Sequence, residues 1–270
     1  MKIVALQLDI AWENKAENFA RVQRWLEQAA PEKGSLVALP EMFATGFSMN
    51  TEKVAEAYGG ETEKFLSSTA RAFGIHLVGG APMRGRDGRV RNKALVFAPT
   101  GELVSFYAKM RPFTPGGEAE HYVAGVKPAV FDWANCHASP FICYDLRFPE
   151  LFRESAATHQ PELFIVIANW PAKRITHWTR LLQARAIENQ AYVVGVNRVG
   201  ADPFYTYTGQ SAVIDFNGDI LADAGSTEGF IRADLDLETL LKYRHGLPFL
   251  KDLRGAPGCG GGVPPPFRDF

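Results

Sequence analysis

Residues 163–168 read LFIVIA, six apolar positions with no polar face among them. A strand of that composition has to be covered on both sides, which a layered α/β arrangement supplies and a half-solvated sheet does not. The run at 139–143, SPFIC, is nearly as apolar, and 191–197, AYVVGVN, repeats the pattern. Between the last two strands, Ile175, Trp178, Leu181, Leu182, Ala186 and Ile187 mark one face of a helix. The same order opens the chain. A strand is expected at 2–10, a helix over 15–30 with Phe19, Val22, Leu26 and Ala29 on its apolar face, and a strand at 35–39 that Pro40 ends. Glu41 thus lies just beyond a strand end.

Hairpins follow each of these units. Residues 61–73 have helical composition, 75–81 reads as a strand, and Arg86-Asp87-Gly88 turns the chain into 90–98, which pairs with 102–107 around Thr100-Gly101. The Pro- and Gly-rich stretch 111–127 reads as a loop over a site. Strands are also expected at 128–132, 210–215, 219–222 and 230–235, with a helix beginning near Phe148. Asn217-Gly218 predicts a two-residue hairpin loop. The pattern suits two mixed sheets packed face to face with helices on both outer surfaces, an α+β fold. No linker divides the chain, so 1–245 is expected to form one domain and 246–270 a tail. From 255 that tail reads GAPGCGGGVPPPFRDF, too rich in glycine and proline for regular structure, and it is expected to be mobile or loosely pinned.

Charge and cysteine content exclude several classes. With 29 basic and 30 acidic side chains there is no bulk field to draw nucleic acid or an anionic membrane. No apolar run approaches the roughly 18 to 20 residues that span a bilayer. The opening MKIVALQLDI is interrupted by Gln7 and Asp9 and reads as a strand rather than a signal peptide. Cysteines at 136, 143 and 259 cannot close a disulfide framework, so free thiols and a cytoplasmic location are expected. The six histidines show no metal-ligand spacing, no acidic cluster suits Mg²⁺, and GxSxG is absent; no metal or cofactor is expected.

Cys143 ends the run PFIC where a strand turns into a helix. In an apolar strand a cysteine by itself reads as a small core residue. At such an elbow it also lies beside unpaired backbone amides that lower a thiol's pKa and cradle an oxyanion. Glu41 in LPEMF and Lys109 in KMRPF, taken singly, read as a loop or ion-paired carboxylate and as a surface charge. The set changes the weighing. LPEMF at 39–43, KMRPF at 109–113 and ICYDLRFPE at 142–150, in that order, resemble the nitrilase superfamily of carbon–nitrogen hydrolases, and the resemblance extends over residues 1–245. It implies a four-layer α-β-β-α sandwich, with a glutamate base matching Glu41, a lysine matching Lys109 and a cysteine nucleophile matching Cys143. It also implies a second glutamate after the lysine. The spacing Phe113, Glu118, Tyr122, Gly125 selects Glu118 over Glu120, although the run Pro115-Gly116-Gly117 departs from the family pattern.

The chemistry gives these side chains distinct tasks. Amide hydrolysis needs a strong nucleophile, stabilisation of charge on the carbonyl oxygen and a proton for departing ammonia. A cysteine with a pKa of about 8.5 is mostly protonated at neutral pH and needs a base or a fixed positive field. Glu41 is the expected base and Lys109 the field. The backbone N–H of Tyr144 is expected to share the oxyanion with Lys109, and Glu118 to orient Lys109 or the substrate amide.

Three longer stretches, LPEMFATGFSMN at 39–50, ANWPAKR at 168–174 and LLQARAIENQAYVVGVNRVG at 181–200, are most similar to the omega-amidase branch of that superfamily. The branch removes the terminal amide of short 2-oxo acids such as 2-oxoglutaramate and 2-oxosuccinamate. Aliphatic amidases, nitrilases and N-carbamoyl amino acid hydrolases of the same superfamily are the alternatives. A substrate of the first kind carries a carboxylate, for which Arg147 and Arg174 are the candidates by motif position. Phe43, Phe47 and Trp170 are expected to wall a small pocket. The resemblance also implies a homodimer.

Overall fold

The computed structural model describes residues 1–253. The Gly/Pro-rich tail from 255, with Cys259, lies outside the described residues. Two six-stranded mixed sheets form the centre. The first contains β1 (Lys2–Gln7), β2 (Leu36–Ala38), β3 (His76–Arg84), β4 (Val90–Phe97) and β5 (Leu103–Ala108) in that order, with the late strand β14 (Gly229–Asp234) beside β1. The second runs β13-β12-β9-β8-β7-β6, from β6 (Phe131–Trp133), β7 (Cys136–Ile142), β8 (Leu163–Ile167), β9 (Tyr192–Val196), β12 (Ala212–Ile214) and β13 (Ile220–Asp223). Strands β1, β2 and β3 are parallel, as are β7, β8 and β9; the remaining pairings are antiparallel.

Alternation along the parallel strands explains why they are apolar throughout. Ile3 and Ala5 of β1, with Leu36 and Ala38 of β2, join the core between the sheets. Val4, Leu6 and Val37 point the other way, into a core shared with α1 (Lys15–Ala29) and α3 (Glu61–Phe73). The second sheet is covered likewise by α5 (Pro149–His159) and α6 (Ile175–Asn189), which bury Leu151, Phe152, Trp178 and Leu182 against it. The layers run helix, sheet, sheet, helix, the sandwich that the motifs imply. One-turn helices α2 (Thr51–Val54) and α4 (Glu118–His121) sit in the connections. Among the described residues no helix is long and apolar enough to cross a membrane.

Several expectations need correction. The loop at Asn217-Gly218 has three residues: Asp215 and Asp219 close it through an N–H to carbonyl bond of 2.9 Å, and only Gly218 takes a positive φ, +89°. That is a type I turn followed by a left-handed glycine, whereas a two-residue type I′ loop needs two residues at positive φ. The strand expected at 128–132 is shorter and later, and its partner begins earlier, at Cys136. Not foreseen, besides the one-turn helices α2 and α4, were the two-stranded ribbon of β10 (Val199–Ala201) and β11 (Thr206–Thr208), and α7 (Leu237–Gly246), capped by the Asp236 carboxylate on Thr239 N–H.

Candidate active site

Glu41, Cys143 and Asn169 each follow the carboxyl end of a parallel strand, respectively β2, β7 and β8, where open α/β layers gather their chemistry. Glu41 enters on a tight turn in which Met42 adopts φ +45° and its carbonyl accepts the N–H groups of Thr45 and Gly46 at 3.0 and 2.8 Å. Gly80 of β3 makes room for that turn. A Cβ there would stand 2.4 Å from Met42 N and 2.7 Å from Glu41 Cα. Cys143 opens a 3₁₀ turn, Cys143–Arg147, at φ +46°. A left-handed cysteine is strained, and that strain holds the thiol out from the strand end. Tyr144 is the second residue of the turn, so its backbone amide has no acceptor one turn back.

Lys109 leaves the end of β5 with its N–H on the Asn92 carbonyl at 2.9 Å. Its ammonium lies 2.9 Å from Glu41 Oε1 and 2.7 Å from Glu118 Oε2, and all three side chains are enclosed. Asn92 Nδ2 donates to both carboxylates, at 2.6 Å to Glu41 and 2.9 Å to Glu118. The second Glu41 oxygen accepts the Asn169 amide at 2.8 Å, and Glu118 Oε2 accepts the Phe113 amide at 2.6 Å. The Pro115-Gly116-Gly117 run supplies the path for Glu118: a 3₁₀ turn, Thr114–Gly116, ends on Gly117 at φ +75°, and α4 starts there. Glu120 is exposed.

The Cys143 thiol completes the group, donating to the Asn169 carbonyl at 3.8 Å, with the Glu41 charge near enough to act on it. Burial, followed by the Glu41 charge, pushes this thiol well above the ordinary cysteine range, although Lys109 pulls the other way. Burial works against the Lys109 ammonium too. Glu118 and Glu41 outweigh it and hold that group charged, well above the ordinary lysine range. The site therefore offers a neutral thiol between a hydrogen-bonded carboxylate and a permanent cation, an arrangement suited to base-assisted attack on a carbonyl and stabilisation of the resulting oxyanion.

A cleft of about 360 Å³, counted with its open mouth, leads to the sulfur. Phe47, Phe113, Tyr144, Trp170, Tyr205 and Tyr207 form its aromatic wall, and Arg147 and Arg174 stand in the same wall. The Arg147 guanidinium lies 4.6 Å from the Trp170 ring centroid, with Nη1 3.2 Å from His177 Nδ1. Arg174 lies 5.5 Å from the Phe113 centroid. Neither has a carboxylate within ion-pair distance among the described residues. Burial, and then the charge of Arg174, lower the Arg147 pKa.

Phe43 is the exception among the expected wall residues. Its ring is buried on the outer side of the first sheet, 6.2 Å from Phe19 of α1 and 6.1 Å from Phe65 of α3, because the turn at Met42 aims it away from the cleft. The sequence reading also overlooked four residues that the fold brings in. Asn169 carries a signal, a polar residue directly after the all-apolar β8; Asn92 carries a weaker one, as a polar residue inside β4. Tyr205 and Tyr207 arrive on the unforeseen β10–β11 ribbon, held where Tyr207 donates to Asp202 Oδ2 at 2.5 Å over the buried Arg198 guanidinium.

Known proteins resemble this chain over nearly its whole length. The family described as carbon-nitrogen hydrolase matches residues 2–245. The 2-oxoglutaramate amidase of Bacillus subtilis is 34% identical over 253 residues, 93% of this chain and 97% of that protein. An omega-amidase, YafV, of Yersinia enterocolitica is 38% identical over 258 residues, covering 93% and 96%. Among solved structures, a CN-hydrolase superfamily protein of Xanthomonas campestris with an arsenic adduct in its active site superposes with a TM-score of 0.90 at 32% identity, covering 95% of this chain and 98% of that one.

Proposed function

The chain belongs to the carbon–nitrogen hydrolase family, and on that premise we propose that it is an omega-amidase, which hydrolyses the terminal amide of a short 2-oxo acid to the dicarboxylate and ammonia. The observation that carries this reading is the combination of one thiol, backed by the Glu41–Lys109–Glu118 cluster, with two arginines that, among the described residues, have no acidic partner in the same aromatic cleft.

Cys143 attacks the amide carbon as Glu41 takes its proton. With the thiol held neutral at rest, transfer and attack proceed together rather than through a standing thiolate. The oxyanion is received by the Lys109 ammonium and the Tyr144 amide. Glu41 returns the proton to the nitrogen, ammonia leaves, and a thioester remains on Cys143. Glu41 then draws a proton from water, which attacks the thioester; the C–S bond breaks, the acid is freed and Glu41 returns the proton to the Cys143 sulfur. Glu118 gives Lys109 a second carboxylate partner at 2.7 Å, which keeps the ammonium paired while Glu41 carries the proton. At the other end of the substrate, Arg147 and Arg174 bind the carboxylate while Phe47 and Trp170 flank the short carbon chain. We place the enzyme in the cytoplasm, a reading that its unpaired thiols Cys136 and Cys143 support, and take it to be a homodimer on the family resemblance alone.

The test is ammonia release from 2-oxoglutaramate, glutamine, asparagine, an aliphatic nitrile and an N-carbamoyl amino acid. The highest kcat/KM is expected for 2-oxoglutaramate. Preference for any of the other four would remove the omega-amidase assignment and leave a different carbon–nitrogen hydrolase.

A further inference from the structure

Asp145, two residues past the nucleophile, has no part in the steps above. It is fully buried, and no cation lies within ion-pair distance of it among the described residues. Neutral donors hold it instead. The Arg111 amide donates to Oδ1 at 2.8 Å, while the Tyr107 hydroxyl and the Ile142 amide donate to Oδ2 at 2.9 and 3.1 Å. The Tyr107 oxygen in turn accepts the Met110 amide at 3.3 Å. These donors come from two places. Tyr107, Met110 and Arg111 bracket Lys109 at the end of β5 in the first sheet, and Ile142 immediately precedes Cys143 at the end of β7 in the second.

We propose that Asp145 is a positioning residue that sets Lys109 against Cys143, by tying together the two backbone segments, one from each sheet, that carry the ammonium and the thiol. The inference rests on the roles given above to Cys143 and Lys109. Both oxygens of an ionised carboxylate accept, so all three donors are satisfied at once. A protonated acid, or an asparagine, presents a hydrogen toward one of those donors and gives up a tie. Burial pushes this acid up to about 7, against the pull of Lys109 and of its three hydrogen bonds. Among the described residues, Tyr107 and Lys109 on the β5 side act on it directly, with Arg111 acting on Tyr107 and Cys143 two residues back on the elbow. Tyr107, Lys109 and Cys143 are all held above their ordinary values, so Asp145 is the member of this set that titrates near neutrality.

The experiment uses the full-length protein with Asp145→Asn and Tyr107→Phe, and measures kcat and KM for 2-oxoglutaramate across pH, melting temperature, and the rate of Cys143 alkylation by iodoacetamide. Asp145→Asn is expected to lower kcat by about 100-fold, the effect of a misplacement on the order of 1 Å, with KM little changed. The wild-type kcat should fall as pH drops through about 7, and this limb should be missing from Asp145→Asn. Its melting temperature above pH 7 should change little, because the tie that asparagine gives up is offset by the buried charge it removes. The folded-state pKa lies above the ordinary 3.8, so this acid's contribution to stability is complete below that value and is lost as pH rises through about 7, a loss that asparagine does not suffer. Tyr107→Phe, which removes one donor and leaves the carboxylate, should lower kcat by about tenfold. A near-normal kcat in Asp145→Asn, a retained acid limb, or activity that falls only in step with melting temperature would overturn the proposal. If Asp145→Asn does not fold, an unchanged kcat in Tyr107→Phe overturns it instead. Absence of ammonia release by the wild type would count against the substrate reading alone. Alkylation needs no substrate, and it should be several-fold slower in both variants; equal rates would contradict the positioning role.

Discussion

At the floor of the cleft every charge is answered. Lys109 lies between Glu41 and Glu118, and Asn92 donates to both carboxylates. At the rim, Arg147 and Arg174 lie over Trp170 and Phe113 with no acid among the described residues beside either. A buried ion cluster with all its partners in place is rigid, because losing one member strands the others. That suits groups that must keep fixed distances through a catalytic cycle. Cations without an acid beside them in a partly enclosed cleft are suited to the opposite task, which on the proposed reading is to receive an incoming carboxylate. On this view the floor sets the reaction and the rim selects the molecule that undergoes it.

The contrast can be broken most severely at the floor. Cys143→Ala is expected to reduce ammonia release by on the order of 10⁴-fold or more while leaving the melting temperature near that of the wild type, since the thiol carries no structural ion pair. Lys109→Ala should lose about 10²- to 10³-fold in kcat and also about 3–5 kcal/mol of stability in denaturant titration, because two buried carboxylates are left facing each other. If Lys109→Ala were as stable as the wild type, the floor would not be the interlocked cluster described here.

Substitutions at the rim should behave differently. Arg147→Gln or Arg174→Gln is expected to raise KM for 2-oxoglutaramate by about 10- to 100-fold, the worth of a charge-assisted hydrogen bond, with a smaller change in kcat. Hydrolysis of a short uncharged amide by the same variants should change little. Equal losses on charged and uncharged amides would mean that these arginines support the fold rather than the substrate. The smallest effect sharpens the boundary of the cleft. Phe43→Leu should cost about 1 kcal/mol in stability and leave KM unaltered, as its ring packs on Phe19 and Phe65.

What could be read from the chain alone follows how local each determinant is. Pro40 ends a strand and Glu41 follows it; the PFIC run ends on Cys143 and a helix soon begins; both positions are visible within ten residues. Glu118 could be separated from Glu120 because its spacing from Phe113 and Tyr122 is part of a motif. Asn92 and Asn169 act on Glu41 from 51 and 128 residues away, and no local pattern records such pairings. Phe43 was misjudged because the positive φ of Met42 redirects the following side chain, and methionine gives no warning of a left-handed residue. The β10–β11 ribbon has three-residue strands with little apolar alternation, and α7 buries only Leu240, so neither shows an amphipathic period. Asp145 was visible as a letter, but its tie to the β5 segment depends on the two sheets facing each other.

The most direct test of the account is intact-protein and peptide mass spectrometry of the enzyme acid-quenched during turnover of 2-oxoglutaramate. An acyl adduct is expected on the peptide carrying Cys143, with the mass of the substrate less ammonia, lost on further incubation. Full turnover with no adduct on that cysteine, joined to an active Cys143→Ala variant, would contradict it.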